Sequence, residues 1–195
     1  MTTDNYRKHT AKNPLQKWLI DRFYAALLDE LETLHPQTIL DAGCGEGFTL
    51  ARIRLYGIRA KLEGIDIRQE AIELGRKIHP ELTLREGSVY ELPYEDNAFD
   101  VVLCSEVLEH LEDPERALAE IRRVARRYCI ITVPHEPFFM MANMLRGKNL
   151  TRWGNDIEHI QHWSSQGIAR LAGQYMAVEK VRNPFPWTIV IGKKV

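Results

Sequence analysis

Ile39-Leu40-Asp41-Ala42-Gly43-Cys44-Gly45-Glu46-Gly47 decides how the rest of this sequence is read. An apolar run that breaks into glycine at every second position is the pattern of a strand ending in a ligand-binding turn. Glycine there supplies positive φ and lets a ligand approach the backbone, and the helix that follows offers unpaired N–H groups to an anionic group. A dinucleotide-binding turn also needs a third glycine, or at least a small residue, three positions after Gly45, where the helix packs on the strand. Phe48 stands there. Its bulk weakens a NAD-type reading and leaves Gly43, Gly45 and Gly47 to contact an amino-acid-like ligand.

Outward from the turn, strand-like and helix-like runs alternate. The spacing predicts strands over 38–42, 61–66, 82–86, 99–105 and 128–133, with helices over 48–56, 69–78 and 115–126 between most of them. Such alternation means a parallel sheet with helices on both faces, because each parallel connection needs a crossover. Before the turn, Asn13-Pro14 opens an amphipathic helix over 14–34, with Leu15, Trp18, Leu19, Arg22, Phe23 and Leu27 on one mostly apolar face. Asp113-Pro114 reads as an N-cap and first-turn proline. Ser164 reads as the cap of a helix running to about Tyr175. The runs 176–181 and 187–191 are joined by only Asn183-Pro184-Phe185-Pro186, so they must pair antiparallel. The expected fold is α/β, a doubly wound, mostly parallel seven-stranded sheet closed by a C-terminal antiparallel hairpin. Between them, about 135–163 is irregular, mixing methionines, aromatics and scattered charge, as a lid or binding loop does.

A chain of 195 residues, 45% hydrophobic and 27% charged, suits one well-buried core, so residues 1–195 are expected to form a single domain. The net charge of -1 creates no field that gathers nucleic acid or an anionic membrane, which points to a small-molecule partner. Cys44, Cys104 and Cys129 fall in or beside apolar runs without metal-ligand spacing, as buried thiols do in a reducing, cytoplasmic setting. No stretch has the length of a membrane span or the apolar core of a signal peptide. Oligomeric state leaves no mark in the sequence.

Together these features resemble the class I S-adenosylmethionine (SAM)-dependent methyltransferases of the small type 11 kind, over roughly residues 37–134, and that family has a Rossmann-like sheet. Asp41–Gly47 matches its first motif. Asp66, closing the second strand, matches the acidic residue that takes the two ribose hydroxyls, as a carboxylate with two acceptor oxygens can. Gly87 through Pro93, Asn97-Ala98-Phe99-Asp100, Val107-Leu108-Glu109-His110-Leu111 and Arg123-Val124 match later segments. The resemblance implies cofactor contacts from Asp41, Gly43, Gly45, Gly47, Asp66, Ile67, Ser88, Val89 and Ser105. Ser88 departs from the family, which commonly places an aspartate there for the adenine amino group. Arg126-Arg127 replaces the usual Pro-Gly-Gly turn before the fifth strand.

Methyl transfer from a sulfonium is an in-line displacement, so the protein mainly holds acceptor, methyl and sulfur collinear and excludes water. For a hydroxyl acceptor a general base helps by roughly 10²–10⁴-fold, and histidine has the suitable pKa. His110, just after the fourth strand, is the first candidate; the alternative is that Glu109 and His110 cap the local turn. Glu106-Val107-Leu108-Glu109-His110 with Glu158-His159 and His162 also resembles a metal-dependent branch, the ubiquinone-pathway O-methyltransferases and small-RNA 2′-O-methyltransferases. There two glutamates and a histidine of this segment, with a later histidine, hold a divalent ion such as magnesium or manganese. His159 is the second catalytic candidate on that ground. The same segment occurs in methyltransferases without metal, and His159 or His162 then lines the lid.

Arg122, Arg123, Arg126 and Arg127 form either a nucleic-acid patch or the solvated end of a helix. Phe138, Phe139, Met140, Met141, Met144 and Leu145 line an acceptor pocket, meet a membrane surface or pack a lid. Arg146, Lys148 and Arg152 are available to an anionic acceptor or are simply solvated. Trp18 and Phe23 cover the donor site or pack the core. The expected activity is O-methylation of a small-molecule hydroxyl. Its competitors are an RNA 2′-O-methyltransferase and a SAM-binding regulatory protein without turnover.

Overall fold

The computed structural model describes residues 13–136 and 160–195, and the element order follows the expected alternation. Helix α1 (Pro14–Leu34) leads into β1 (Thr38–Ala42), α2 (Phe48–Tyr56), β2 (Lys61–Asp66), α3 (Gln69–Ile78), β3 (Thr83–Glu86) and β4 (Phe99–Ser105). A 3-10 turn at Leu108–His110 is followed by α4 (Pro114–Val124), β5 (Ala125–Pro134), α5 (Ser165–Ala172), β6 (Ala177–Arg182) and β7 (Trp187–Lys193). The strands form one sheet in the order β3-β2-β1-β4-β5-β7-β6. The first five run parallel, while β7 inserts antiparallel between β5 and β6. The chain works outward from β1 to β3 and then returns to lay β4 against β1. That reversal leaves a crevice beyond the carboxyl ends of β1 and β4, the place where open α/β sheets bind ligands.

Local chemistry sets the element ends. The Asn13 side chain accepts from the Leu15 and Gln16 amides at 3.0 and 3.2 Å, with Pro14 in the first turn of α1. Asp113 accepts from Arg116 N at 3.0 Å, and Ser164 from Gly167 N at 3.1 Å. Most bounds fall within two residues of expectation, and two differ by three. Strand β5 starts at Ala125 rather than Tyr128, because the residue that ends α4 already has extended backbone and Arg126 and Arg127 become strand residues. Helix α5 stops at Ala172 rather than near Tyr175, because beyond Gly173 the amides of Gln174 and Tyr175 return only three residues, to Leu171 O and Ala172 O, as in a turn.

Alternating strand residues feed two cores. On one face α1, α2 and α3 cover Ile39, Val101, Leu103, Ile130 and Ile189; on the other α4 and α5 cover Leu40, Val102, Cys104, Ile131 and Val190. Each such aliphatic side chain contributes about 1.5–3 kcal/mol by leaving water. The buried stripe of α1 is Leu19, Ile20, Phe23, Tyr24, Leu27, Leu28 and Leu31, rotated from the expected one. Leu15 and Trp18 are about half exposed, with Arg22 stacked 4.8 Å from the Trp18 ring. Trp18 therefore contributes little to the core. Phe23 packs into it, its ring 5.2 Å from that of Trp187. The three cysteines are free thiols and buried. Among the described residues no helix is long and apolar enough to cross a membrane. Residues 137–159, which hold most of the expected lid, lie outside the described residues. On either side of them, Glu136 N bonds Trp163 O at 3.0 Å.

Candidate active site

Parallel pairing brings the described candidates to one edge of the sheet. Asp41 is the penultimate residue of β1, Asp66 and Ser105 are the last of β2 and β4, and Ile67, Ser88, Val89 and His110 lie just beyond their strands. His159 lies outside the described residues. Ile67 is 70% exposed, an apolar side chain held in the open beside Asp66. Val89 instead turns its side chain into the core. Ser88 Oγ accepts from Tyr90 N at 3.2 Å and shapes the turn after β3.

The glycine turn is built as much by its neighbours as for a ligand. Gly43 N and Cys44 N both donate to Ile65 O, at 2.7 and 3.0 Å, and Gly45 N donates to Asp66 Oδ2 at 2.7 Å. Gly43 has φ +89, and a Cβ there would lie 2.3 Å from Val107 Cγ2. At Gly47, φ +84, a Cβ would meet Leu82 and Leu84 at 3.1–3.3 Å. Glycine at 43 and 47 thus satisfies internal packing as well as backbone conformation.

Asp41 is 1% exposed, and its Oδ1 has no hydrogen-bond partner among the described residues. Burial first, and then the negative charge of Asp66, push its carboxyl up to about 7. A buried, unsatisfied carboxylate oxygen is costly unless something supplies a positive charge or a donor. Asp66 is differently placed. Its Oδ2 takes Gly45 N and retains a lone pair, whereas its Oδ1 takes both Arg68 N at 2.9 Å and the Arg68 Nε at 3.4 Å, the latter from a half-exposed side chain. Tyr24 was absent from the expected apolar face, yet it reaches this region from α1, its phenol 3.2 Å from the Thr49 hydroxyl at the start of α2. Burial chiefly, with smaller contributions from the charges of Asp41 and Glu106, raises the Tyr24 hydroxyl well above the usual phenol range. A tyrosine one position from the predicted stripe was the only sequence signal for it.

After β4 the backbone turns sharply. Glu106 has φ +58, and its side chain accepts from Trp187 Nε1 at 2.7 Å and from the Thr132 hydroxyl at 3.4 Å. The Thr132 and Ser105 hydroxyls are 2.9 Å apart. Glu109 is 1% exposed, and its carbonyl accepts from Ile160 N and Gln161 N at 2.9 and 3.0 Å. His110 is exposed at the end of the turn. His162 lies 3.9 Å from the Glu136 carboxylate. Among the described residues no group of three or more His, Cys, Asp or Glu side chains is gathered as a metal ion requires. Glu106, Glu109 and His110 are all described, so these three do not assemble by themselves, and no step below is routed through a metal.

The arginine cluster is occupied internally. Arg123 bonds Glu120, Asp96 and the carbonyls of Leu92 and Tyr94; Arg126 bonds Asp100 and Asn97 O; Arg122 bonds Val195 O. Of the two readings of this cluster, the nucleic-acid patch loses donors of Arg122, Arg123 and Arg126 to these contacts, while Arg127 lies over the Tyr128 ring, 5.5 Å from its centroid. A groove of about 400 Å³ lined by Arg122, Gln174, Tyr175 and Met176 lies at the amino end of β5, away from the convergent carboxylates.

A family model described as a methyltransferase domain matches residues 40–132, from the glycine-turn strand to Thr132. Those residues form a class I, SAM-dependent methyltransferase domain. Norajmaline N-methyltransferase of Rauvolfia serpentina is 37% identical over 97 residues, 46% of this chain and 32% of that protein. The small RNA 2′-O-methyltransferase of Rattus norvegicus is 25% identical over 190 residues, 85% of this chain and 47% of that protein. The crystal structure of magnesium protoporphyrin IX methyltransferase from Synechocystis PCC 6803, with bound SAH, shares the fold with a TM-score of 0.72 at 17% identity, covering 94% of this chain and 88% of that one. The chain spans about a third of the length of the first curated relatives it matches, 31% and 36% for two of them. For a methyltransferase domain the cofactor is SAM. The residues present fit it: the orphaned Asp41 oxygen suits a cationic amine, and Asp66, with a lone pair open on Oδ2 and only a half-exposed arginine side chain on Oδ1, suits ribose hydroxyls.

Proposed function

We propose that this protein transfers a methyl group from SAM to the hydroxyl of a small-molecule acceptor. Asp41 carries the reading, because a fully buried carboxylate with an unmet oxygen, beside a glycine turn, is a site for a cationic amine such as that of the methionine moiety. Asp66 would take the ribose hydroxyls through the lone pair that Gly45 leaves on Oδ2 and through Oδ1 once the half-exposed Arg68 side chain moves off it. Ile67 would cover one face of the adenine, Ser88 and Val89 its edge, and Gly43, Gly45, Gly47 and Ser105 the methionine side. When bound, the cofactor supplies an electrophilic methyl on a sulfonium. The remaining task is to align the acceptor and remove its proton, for which His110, exposed beyond β4, is the candidate base; His159 is the second candidate.

Carboxylates from Asp41, Glu106 and Glu109 around this end of the sheet repel a polyanion, which supports a small acceptor over RNA. The second reading, an RNA 2′-O-methyltransferase, draws on the long alignment with the Rattus norvegicus enzyme. Calorimetric titration with SAM and with S-adenosylhomocysteine, each with and without magnesium or manganese, tests the donor site. Binding of both is expected, and binding of neither overturns the reading. Salt-dependent RNA binding would favour the second reading over the first.

A further inference from the structure

We propose that Glu106 is the residue that orients the acceptor, its carboxylate receiving a hydrogen bond from the acceptor's O–H or N–H beside the transferring methyl. This rests on the methyl-transfer reading above.

Three observations carry it. First, three non-glycine residues among those described have positive φ, and two have ordinary settings: His35 ends α1, and Asn97 is a residue type that tolerates that conformation in a turn. Glu106 has φ +58 immediately after the central strand β4, and strained backbone at such a position aims a side chain. Second, the side chain is held in its aim. The Trp187 indole donates to it from β7 at 2.7 Å, Thr132 lies 3.4 Å away on β5, and Thr132 is itself tied to Ser105 at 2.9 Å. Trp187 is fixed in turn by the Phe23 ring of α1, 5.2 Å away. Third, the location is the crevice between β1 and β4. Asp41 of β1 is in register with Leu103 of β4, and Glu106 follows directly after the end of β4, so both lie at the carboxyl edge of these two neighbouring strands. Asp41 faces the cofactor in the reading above, which leaves Glu106 on the acceptor side. The bonds from Trp187 and Thr132 tie this carboxylate to β7 and β5, and among the described residues no group of three or more His, Cys, Asp or Glu is gathered around it.

Sinefungin provides a probe that needs no knowledge of the acceptor, because it is a SAM analogue in which an amine-bearing carbon replaces the methylsulfonium. Its extra amine occupies the methyl position and would donate to Glu106, whereas S-adenosylhomocysteine has nothing there. Calorimetric affinities of both ligands are measured for the full chain, for Glu106→Gln and for Trp187→Phe, with thermal melts to establish folding. Glu106→Gln is expected to lose at least about tenfold in sinefungin affinity and less than about twofold for S-adenosylhomocysteine. Trp187→Phe keeps the carboxylate but frees its aim, and is expected to give a smaller loss with the same selectivity. Equal losses for both ligands in folded variants, or no loss for either, overturn the proposal. Failure of the unmodified chain to bind either ligand overturns the methyl-transfer reading itself.

Discussion

Asp41 couples the protein's proton balance to its ligand. Its folded-state pKa, about 7, lies above the ordinary value of 3.8, so between about pH 4 and about pH 7 the folded form binds more protons than the unfolded one. Unfolding free energy from this group therefore falls as pH rises through that window. Asp41→Asn should flatten that part of the stability curve, which urea titrations at several pH values would read. In the proposed reading the cofactor amine pairs only with the charged carboxylate, so SAM affinity should increase up to about tenfold per pH unit below about 7 and level off above it. A pH-independent affinity would remove Asp41 from the amine site. Asp66→Ala should weaken SAM at least tenfold, and an unchanged Kd in calorimetry would remove the ribose role. The placement of Asp41 and Asp66 at the carboxyl ends of neighbouring strands was legible in the sequence, because a strand ending in glycine, followed by a second strand ending in aspartate, leaves few other geometries. Tyr24 and Glu106 were not legible as a pair, because what joins them is the position of α1 over the sheet, and no local period encodes that.

The glycine turn and the 3-10 turn after β4 interlock as elements. Gly43→Ala would force a methyl into the Val107 side chain as well as imposing a left-handed backbone on alanine, so a cost of about 2–4 kcal/mol is expected in chemical denaturation. Adding Val107→Ala should recover part of that loss, since it removes the methyls at 2.3 and 3.2 Å, while the backbone share persists. Full additivity in the double-mutant cycle would show that the two turns do not press on each other. The sequence reading left these glycines to a ligand; the structure gives Gly43 and Gly47 internal neighbours as well. Helix starts were read closely where a capping residue or glycine marks them, as at Asp113, Ser164 and Gly47. They slipped where backbone continuity decides, as at Ala125, which no side-chain signal distinguishes from the end of α4.

Across the whole molecule, charge is spent on holding elements together. Arg123 ties α4 to the segment before β4, so Arg123→Ala should lower stability by about 1–3 kcal/mol while leaving SAM affinity within twofold. A large loss of SAM affinity in a folded Arg123→Ala would instead connect this cluster to the site. On the opposite side, buried Glu30 of α1 receives Lys180 at 2.6 Å and Arg182 at 2.7 Å from β6. The antiparallel pairing of β6 and β7 was legible from the short proline-rich link, but the insertion of β7 inside β6 was not, because both orders satisfy the same link. That insertion has a consequence for synthesis. α1 emerges early from the ribosome, yet the groups that seat it, Trp187 against Phe23 and Lys180 against Glu30, come late, the latter pair 150 residues apart. At ordinary translation rates the apolar stripe of α1 waits on the order of ten to thirty seconds for its platform. Until then Phe23, Leu27 and Leu31 lack the part of their cover that Trp187, Ile189 and Ile191 supply in the finished core.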